Sequence, residues 1–536
     1  MHVEALFGSP GAYLQAVMWR IRRLKLRARH RFAALMGHTR HAYDLWTITR
    51  EPMLHAMLVS PEESSSPFVI VIDCRDATAA AVELSVRSVH ACAGATPEIV
   101  LLQAEPGSDG LYRSVTDPAD LPALLDGMAQ AAGKLWIVPI AAGDLLSPHA
   151  LNGYRQAIMQ APDAVLLYAD DDLISPIGRR HTPHFKPRWT EELHRGHDFV
   201  SGSCAIAADA LPREDQIGTH WPADVLSLAR NAPVHVPLVL HHRASRPAPH
   251  PDHPRPLSPQ APVLPHVSVI IPTRDHVALL QTCLEGLRAT RYPSLDITII
   301  DNGSVEAETL AYLEGLERSG VQVSKQPGPF NYAAMHNSVV PSLRGPLICL
   351  LNNDIEVIDP DWLAHMAPHA MRDDIGAVGA RLLYPDRTIQ HAGIVIGMGG
   401  GAGHAHRLQD DASPGYFSRA HLPQRVSAVT AACLVVRKDR FEAVGGFDAQ
   451  NFTVAFNDVD LCLKLNAAGW QSFYEPRACL VHHESKSRGR DSSPVQRERF
   501  ASELAALKRL WSTDTVHDPY HHPELSQLSE QFVVRL

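Results

Sequence analysis

Leu347-Ile-Cys-Leu-Leu-Asn-Asn-Asp354 is the stretch that decides the fold, because five apolar residues end abruptly in two amides and one carboxylate. An apolar run this short, preceded by Gly345-Pro346, is typical of a buried β-strand. Open α/β sheets bind their ligands outside the carboxyl ends of such strands. The pattern therefore predicts an α/β protein in which Asp354 faces a bound ligand.

Two upstream segments repeat this pattern. Val267–Pro272 and Ile297–Ile300 are short apolar runs, and the first precedes a helical pattern that begins near Val277. Polar residues follow both runs: Thr273, Arg274 and Asp275 after the first, and Asp301, Asn302, Gly303 and Ser304 after the second. Three predicted strands therefore each end in a carboxylate or another polar group.

Carboxylates at the ends of neighbouring strands suit an activated sugar bound as a nucleoside diphosphate. One carboxylate accepts hydrogen bonds from the base or ribose, and another holds a divalent cation against the diphosphate. The cation stabilises the charge that develops on the leaving group. Hard oxygen ligands favour Mg²⁺ or Mn²⁺, which are the cofactors that the sequence predicts.

A further acidic motif, Asn457-Asp458-Val459-Asp460, opens a predicted helix that ends at Gly469. Acidic residues in a first turn can simply complement the helix dipole. A sugar transfer also needs a base, and a carboxylate that faces the sugar can take the proton of an acceptor hydroxyl, which is the role we assign to Asp458. Asp460 points elsewhere on the helix and is assigned to capping or to support of the site.

The order of these motifs resembles the family 2 inverting glycosyltransferases of the GT-A fold, particularly the bacterial rhamnosyltransferase-like enzymes that build O-antigen and other surface polysaccharides. The resemblance covers about residues 267–490. It is carried by a series of motifs: Val267–Asp275, Asp301–Ser304, Phe330–Ala333, Asn352–Asp354, Gly445–Asp448, Asn457–Asp460 and His482–Gly489.

The resemblance implies a role for each matched position. Asp354 looks like the last residue of the metal-binding motif, and Asp458 like the general base. His482 occupies the place of a third metal ligand, with His483 as the alternative. The implied donor-binding residues are Pro272, Thr273, Arg274, Asp275, Asp301, Asn352 and Asn353. The motif begins with two amides rather than carboxylates, which makes a histidine ligand more useful.

The segment from Gln390 to Arg407 is rich in glycine and predicts a flexible loop. Such a loop could close over the donor and exclude water, and His391 and His404 are its candidate functional residues. For His406 a solvated surface position is an equal alternative. The residues assigned to the acceptor side or to this loop are His391, His404, Asn457, Asp460 and His483.

The two halves of the chain resemble one another across a proline-rich linker at residues 244–266. Phe68–Asp76 aligns with Val267–Asp275 without a gap, which indicates an internal duplication. In this alignment Gln103 replaces Asp301, and Ile140-Ala141-Ala142 replaces the metal motif, so the first half is predicted to be degenerate. The acidic run at 170–172 is read either as an acceptor-facing element or as a solvated turn.

Arginine and lysine alternate with apolar residues between Trp19 and Arg31, and no acidic residue lies between Glu4 and Asp44. This segment predicts a basic helix that either attaches to the inner leaflet of a membrane or packs on the first domain. The net charge of −9 and the absence of a recognisable binding module argue against nucleic acid. Scattered cysteines, with no signal peptide or spanning segment, predict a cytoplasmic protein with reduced thiols.

The sequence thus predicts an α/β protein with two tandem GT-A-like domains, each built on a mixed sheet. The predicted parts are a basic helical segment (1–65), a degenerate domain (66–243), the linker (244–266), a catalytic domain (267–490) and a helical tail (491–536). The predicted reaction is inverting sugar transfer from a nucleoside-diphosphate sugar to a glycan or lipid-linked oligosaccharide. The alternatives are a non-catalytic sugar-nucleotide or glycan-binding scaffold and, ranked last, a sugar nucleotidyltransferase.

Overall fold

The computed structural model describes residues 1–58, 67–92, 97–103, 112–132, 135–211, 222–223, 232–249, 264–483 and 493–536. Most of the predicted linker and the Glu484–Gly489 part of the last motif lie outside the described residues. The chain forms two compact units. The first comprises residues 1–250, 522–526 and 533–536, and the second comprises residues 251–521 and 527–532.

The first unit begins with five helices: His2–Gly8, Pro10–Ile21, Lys25–Gly37, His41–Thr49 and Glu51–His55. Its sheet contains nine strands: β1 (Phe68–Asp73), β2 (Glu98–Leu102), β3 (Arg113–Val115), β4 (Trp136–Ala141), β5 (Leu145–Leu146), β6 (Leu166–Ile174), β7 (Arg180–His184), β8 (Cys204–Ala207) and β9 (Val234–Arg243). The α-helices described between these strands are Ala79–His90, Leu121–Ala132, Ala150–Gln160 and Glu191–Gly196. The order of the strands in this sheet is β3-β2-β1-β4-β8-β6-β9-β5, and β7 pairs with β6.

The second unit contains a ten-stranded sheet and a separate hairpin. Its strands are β10 (Val267–Thr273), β11 (Leu295–Asp301), β12 (Gln322–Lys325), β13 (Leu347–Leu351), β14 (Ile355–Val357), β15 (Ile375–Leu383), β16 (Ile389–His391), β17 (Ile394–Ile396), β18 (Ala402–His404), β19 (Gln424–Val426), β20 (Cys433–Arg437) and β21 (Gln471–His482). Its α-helices are Val277–Ala289, Ala307–Arg318, Tyr332–Val339, Trp362–Ala370, Lys438–Ala443, Asn457–Ala467 and Pro494–Trp511. The chain after Trp511 is irregular, in contrast to the predicted helical tail.

The central strands β10, β13 and β15 are buried along their whole length, as expected where helices cover both faces of a sheet. Ile270 and Leu350 pack into one core cluster. Val269, Ile271 and Cys349 pack into a second cluster on the opposite face, as the alternation of side chains along a strand requires. Each fully buried aliphatic side chain contributes roughly 1.5–3 kcal/mol through the hydrophobic effect. These buried runs fix the strands whose ends carry the polar motifs.

The two large sheets have the same topology. The order in the second unit is β12-β11-β10-β13-β20-β15-β21-β14, so every strand of the first sheet has a counterpart at the same place. β1 pairs in parallel with β2 and β4, as β10 does with β11 and β13. β4 pairs antiparallel with β8, as β13 does with β20. The mixed α/β class with two like-built sheets, predicted from the sequence, is confirmed.

Strand register corrects one part of the sequence alignment. Leu145 lies opposite His242 in the first unit, just as Ile355 lies opposite His482 in the second. In each unit three residues separate the preceding strand from this short strand. The counterpart of Asn352–Asp354 is therefore 142–144 (Ala-Gly-Asp), and the earlier match to Ile140-Ala141-Ala142 is wrong by two residues.

The correction means that the first unit keeps an aspartate, Asp144, at the position of Asp354. Its carboxylate accepts a hydrogen bond from the backbone N–H of Ala244 at 2.7 Å and lies 3.8 Å from the Arg243 guanidinium. Burial raises the pKa of Asp144 to about 6, although Arg243 opposes this shift. In the first unit, Arg243 therefore lies close to Asp144, the residue that corresponds to Asp354.

Two other properties bear on the sequence predictions. All eight cysteines are free thiols, six of them buried. Within the residues that the structure describes, no helix combines the length and the apolar character that a bilayer crossing requires.

Candidate functional site

The carboxyl ends of β10, β11 and β13 meet at one edge of the second sheet. Thr273 ends β10 opposite Asp301, the last residue of β11. The side-chain amide of Asn353 donates to Thr273 Oγ1 at 3.0 Å, and the backbone N–H of Asn302 donates to the Thr273 carbonyl at 2.9 Å. Thr273 therefore connects the two motifs that follow the neighbouring strands.

Two carboxylates organise the loops after β10 and β11. Asp301 Oδ1 accepts hydrogen bonds from the N–H and the hydroxyl of Ser304 at 2.9 and 2.7 Å. Asp275 Oδ1 accepts from the N–H groups of Val305 and Glu306 at 2.7 and 2.9 Å. Burial would raise the pKa of Asp275, but these two donors outweigh it and hold the pKa below its ordinary value.

The remaining predicted donor residues differ in exposure. Pro272 is buried near the end of β10, whereas Arg274, the first residue after the strand, is exposed. Asp301 Oδ1 receives both bonds from Ser304, so Oδ2 is the oxygen that can accept a hydrogen bond from a ligand. A ribose or base at this edge of the sheet would meet Asp301 and the exposed Arg274.

Asp354 and His482 lie side by side at the end of β13. His482 Nε2 lies 3.1 Å from Asp354 Oδ1 and 3.3 Å from the side-chain nitrogen of Asn352. On its other side His482 Nδ1 lies 2.7 Å from Gln390 Oε1, an acceptor, so Nδ1 carries the proton. Nε2 then presents its lone pair beside the Asp354 carboxylate.

This arrangement fits a divalent cation. Adjacent ligands of an octahedral ion at about 2.1 Å lie about 3 Å apart, close to the distance between Asp354 Oδ1 and His482 Nε2. A hydrogen bond from the second ring nitrogen to an acceptor, here Gln390, is the usual way in which a metal-binding histidine is oriented. The sequence analysis did not single out Gln390 for this role, and its position next to His391 gave no signal for it.

His483, the alternative ligand, points to the other face of β21. Its Nε2 lies 2.8 Å from Glu356 Oε2. Its backbone approaches the site, where the N–H donates to the Asp354 carbonyl at 2.9 Å. Side chains alternate along a strand, so two consecutive histidines cannot both face one cation.

Asp458 lies in the first turn of the helix Asn457–Ala467. Its Oδ2 accepts a hydrogen bond from the backbone N–H of Ala431 at 3.1 Å. Burial raises the pKa of Asp458, and the hydrogen bonds from Ala431 and the Thr430 side chain oppose this shift. A carboxylate with a raised pKa binds a proton more readily, as a general base requires.

A short segment connects Asp458 to the metal motif. Ala431 donates its N–H to Asp458, and the carbonyl of the next residue, Ala432, accepts the N–H of Asn352 at 3.0 Å. Two consecutive backbone groups therefore hold the predicted base beside the strand end that carries Asp354. The structure thus brings the two acidic motifs together although about one hundred residues separate them.

Asn457 and Asp460 do not share this environment. Asp460 is buried, with Oδ2 3.0 Å from the Lys464 ammonium and Oδ1 2.9 Å from the Trp511 indole nitrogen. Asn457 donates to the Val454 carbonyl at 2.9 Å and is also buried. Their described contacts belong to the packing of the helix.

Glu503 is a residue that the sequence analysis missed. It lies in the helix Pro494–Trp511, and its buried carboxylate accepts four hydrogen bonds from the loop that precedes the Asp458 helix. The donors are Thr453 N at 2.9 Å, Thr453 Oγ1 at 2.7 Å, Val454 N at 2.9 Å and Ala455 N at 3.0 Å. The one available signal was a carboxylate on the same helix face as the buried Ala506 and Leu507.

The glycine-rich segment is not the flexible loop that the sequence predicted. It continues β16 into the hairpin β17–β18, in which Ile394 pairs with His404. The C-terminal residues hold this hairpin, since Asp518 Oδ2 accepts the Ile396 N–H at 2.7 Å. Gly397 and Gly400 have φ of 92° and 78°, so the glycines serve tight turns.

The histidines of this segment are internal. His391 is fully buried, and its Nδ1 lies 2.9 Å from Nδ1 of His404. Burial lowers the pKa of His391 well below its ordinary value, and His404 and His482 add to the effect. His406 is buried and stacks on Phe532 with ring centroids 4.5 Å apart, so the solvated alternative that the sequence left open for it is wrong.

The acidic run of the first unit is also buried rather than a solvated turn. Asp170, Asp171 and Asp172 lie within β6, each at most 1% exposed. Asp171 pairs with Lys186 at 2.7 Å and with Arg246. Burial alone would raise the pKa of Asp171, but these two cations hold it well below its ordinary range.

One cluster in this unit has the spacing of a cation site. Asp170, His235 and His522 each place one ligand atom within 4.8 Å of the others, and no other group of three such residues does so in the described part of the chain. However, His522 Nδ1 accepts the Glu524 N–H at 3.0 Å, so the proton resides on Nε2, 2.8 Å from Asp170 Oδ2. A neutral imidazole that carries its proton on Nε2 has no lone pair there for a cation, so in this arrangement His522 does not act as a metal ligand.

Part of the second unit matches a known family, and most of the chain is similar to two known bacterial proteins. Residues 268–395 match the family model for glycosyl transferase family 2. The protein y4gI of Sinorhizobium fredii is 39% identical over 450 residues, covering 73% of this chain and 48% of that protein. The O-antigen biosynthesis protein RfbC of Myxococcus xanthus is 31% identical over 549 residues, covering 90% of this chain and 42% of that protein.

A shorter match concerns a smaller enzyme. The N-acetylglucosaminyl-diphospho-decaprenol L-rhamnosyltransferase of Mycobacterium tuberculosis is 46% identical over 66 residues, which are 12% of this chain and 21% of that enzyme.

The chain spans about half the length of the first two relatives. With the family model lying over the sheet whose strand ends carry Asp301 and Asp354, the second unit contains a glycosyl transferase family 2 domain.

Proposed function

We propose that the second unit transfers a sugar, with inversion, from a nucleoside-diphosphate sugar to a hydroxyl of a glycan or lipid-linked oligosaccharide. The product would serve cell-surface polysaccharide synthesis, in keeping with the relative named for O-antigen biosynthesis. The observation that carries the proposal is the Ala431-Ala432 connection between Asp458 and the strand end of Asp354. A scaffold that only binds glycans has no need for a carboxylate of raised pKa beside a metal motif.

The donor nucleotide would bind over the ends of β10 and β11. Asp301 Oδ2 would accept a hydrogen bond from the base or ribose, and Thr273 and Asn353 would shape the floor of the site. Asp275 supports the site indirectly, because its carboxylate is used to bind the backbone of the next loop. Arg274 is exposed, so its guanidinium can reach a phosphate and form charge-assisted hydrogen bonds with it.

Asp354 and His482 would hold Mg²⁺ or Mn²⁺ at the diphosphate. When bound, the cation neutralises charge on the departing nucleoside diphosphate. The two amides of the motif, Asn352 and Asn353, are already engaged with His482 and Thr273. Asn353 would therefore position the motif, whereas the Asn352 amide would move away from His482 Nε2 when the cation binds there. Asp354 and the diphosphate would balance the charge of the cation.

Asp458 would act as the general base. Its carboxylate takes the proton of the acceptor hydroxyl while that oxygen attacks the anomeric carbon opposite the leaving diphosphate. Attack from the side opposite the leaving group inverts the anomeric configuration. Because the pKa of Asp458 is raised, it lies closer to the working pH than the pKa of an ordinary aspartate does.

The first unit would contribute structure rather than transfer. Gln103 stands where the second unit has Asp301, and Arg243 lies near the carboxylate of Asp144. A guanidinium at this place is a permanent counter-charge, so the carboxylate needs no cation. The reaction would take place in the cytoplasm, at the inner face of the membrane, where a lipid-linked acceptor is presented.

A panel of sugar nucleotides with Mn²⁺ or Mg²⁺, scored by released nucleoside diphosphate in the presence of lipid-linked acceptors, tests the proposal. Asp458→Asn should abolish transfer while donor binding survives. Asp144→Asn, which changes the first unit's counterpart of Asp354, should leave transfer unaltered. Retained turnover in Asp458→Asn, or equal loss in Asp144→Asn, would contradict the assignment.

A further inference from the structure

The N-terminal helices expose a stripe of large apolar side chains. Val3 and Phe7 are 66% and 79% exposed in the first helix, and Leu14, Met18 and Ile21 are 56%, 46% and 69% exposed in the second. Positions 14, 18 and 21 fall within about 60° of one another at 3.6 residues per turn. Val3 and Phe7 also share one face, since they are four residues apart.

The fully buried residues of these helices are small, and Leu6, Val17 and Trp19 are half-buried. Ala5, Ala16 and Ala28 are buried within the helical segment. A helix of a soluble protein ordinarily turns its large apolar residues inward and its small or polar residues outward. Here the large apolar residues of the stripe stay exposed, so the packing of these helices leaves them uncovered. An apolar surface of this kind marks a contact with something outside the fold.

Basic side chains adjoin the stripe at its C-terminal end. The exposed basic residues of the second and third helices and the turn between them are Arg20, Arg22, Arg23, Lys25, Arg27 and Arg29. The single acidic residue of the first 43 positions, Glu4, is paired with Arg40 at 2.9 Å. The surface therefore combines an apolar stripe with uncompensated positive charge.

We propose that this surface attaches the protein to a membrane that contains anionic phospholipids, with the apolar stripe inserted at the level of the headgroups. Reversible attachment needs both apolar insertion and attraction to anionic lipid, since either signal alone gives weak binding. Both signals are present within the first 29 residues. The occupant is the lipid surface itself, and the positive charges are complementary to its phosphate groups.

The proposed function gives this surface a purpose, because a lipid-linked acceptor would be presented at the same membrane. Only the choice of the inner leaflet rests on that function. A nucleic acid would account for the arginines but not for Leu14, Met18 and Ile21, which offer no ring for a base to stack on. A second copy of the chain would account for the apolar stripe but not for the charge, which would repel itself.

Sedimentation of the full chain with vesicles tests the proposal without any sugar nucleotide, so its outcome is independent of the enzymatic activity. Vesicles of phosphatidylcholine with 30% phosphatidylglycerol, on the order of a cytoplasmic leaflet, should bind the protein, whereas pure phosphatidylcholine should bind at least about tenfold less. The double change Leu14→Ser/Met18→Ser should reduce binding about tenfold or more. Arg22→Glu/Arg23→Glu should also reduce it about tenfold or more and abolish its salt dependence.

Ile177→Ser is the control, because Ile177 is 90% exposed in the first unit but lies far along the chain from this stripe. It should bind vesicles like the wild type. Absence of vesicle binding, or binding that survives both double changes, would overturn the proposal. So would retention of a short RNA in place of vesicles, or a dimer in solution that Leu14→Ser/Met18→Ser dissociates.

Discussion

Replacing Glu503 by alanine should loosen the loop that leads into the Asp458 helix. The carboxylate receives three backbone N–H groups and one hydroxyl, all between 2.7 and 3.0 Å. A hydrogen bond to a charged group contributes about 1.5 kcal/mol net, so the four bonds amount to about 6 kcal/mol before the loop relaxes. Because the freed groups can partly turn to water, we expect a net loss of about 3 kcal/mol.

Hydrogen exchange of the amides of Thr453, Val454 and Ala455 is the direct assay. A chain with two units can unfold in more than one transition, so local exchange reports on this loop better than a global melt. A loss of about 3 kcal/mol corresponds to exchange about 100-fold faster. Glu503→Gln retains one acceptor oxygen and should show a smaller increase, about tenfold.

Glu498→Ala is the matched control, because Glu498 is exposed on the same helix. It should leave the exchange of the three amides within about threefold of the wild type, in line with other surface substitutions. If Glu503→Ala also changed their exchange by less than about threefold, the carboxylate would not hold the loop. In a transfer assay the same variant should lower kcat more than it changes the donor KM, because Asp458 rather than the donor site is displaced.

Three further predictions concern the second unit. Thr430→Val removes a hydrogen bond that lowers the pKa of Asp458, so that pKa should rise. Since the base acts in its ionised form, the acidic limb of the pH–rate profile should move to higher pH. Thr430→Ser keeps the hydroxyl and should leave the profile as in the wild type. Gln390→Leu removes the acceptor of His482 Nδ1 and should weaken Mn²⁺ affinity, measured by calorimetry, about 10- to 100-fold, with unchanged affinity counting against His482 as a ligand. His483→Ala should lower Mn²⁺ affinity by less than about threefold, because its ring faces Glu356; a loss like that of Gln390→Leu would reverse the choice between the two histidines.

The strands and their polar ends could be predicted because both signals are local. Apolar runs such as Leu347–Leu351 reveal a buried strand, and the rule that ligands bind at carboxyl ends of strands then places Asp354. The duplicated topology followed from the same runs. The alignment of the first unit failed at Ala142–Asp144 because sequence similarity there is too weak to fix a register of two residues, whereas the pairing of Leu145 with His242 fixes it.

Long-range partners account for the rest of the differences. The role of Glu503 depends on a loop about 50 residues earlier. The glycine hairpin is hydrogen-bonded to Asp518, which lies more than 100 residues later in the chain. Likewise, Asp171 is buried because Lys186 and Arg246 neutralise it, which no local pattern reveals. Periodicity and motif order describe the sequence locally, so they cannot predict which distant residues the fold places in contact.

The central claim is that the second unit holds the donor and its cation at Asp354 and His482. Crystals of the full chain soaked with Mn²⁺ and a nucleoside diphosphate, measured at the manganese absorption edge, test it most directly. We expect one strong anomalous peak within bonding distance of Asp354 Oδ1 and His482 Nε2, with the diphosphate beside it. A peak confined to Asp170, His235 and His522, with none beside Asp354, would contradict the account.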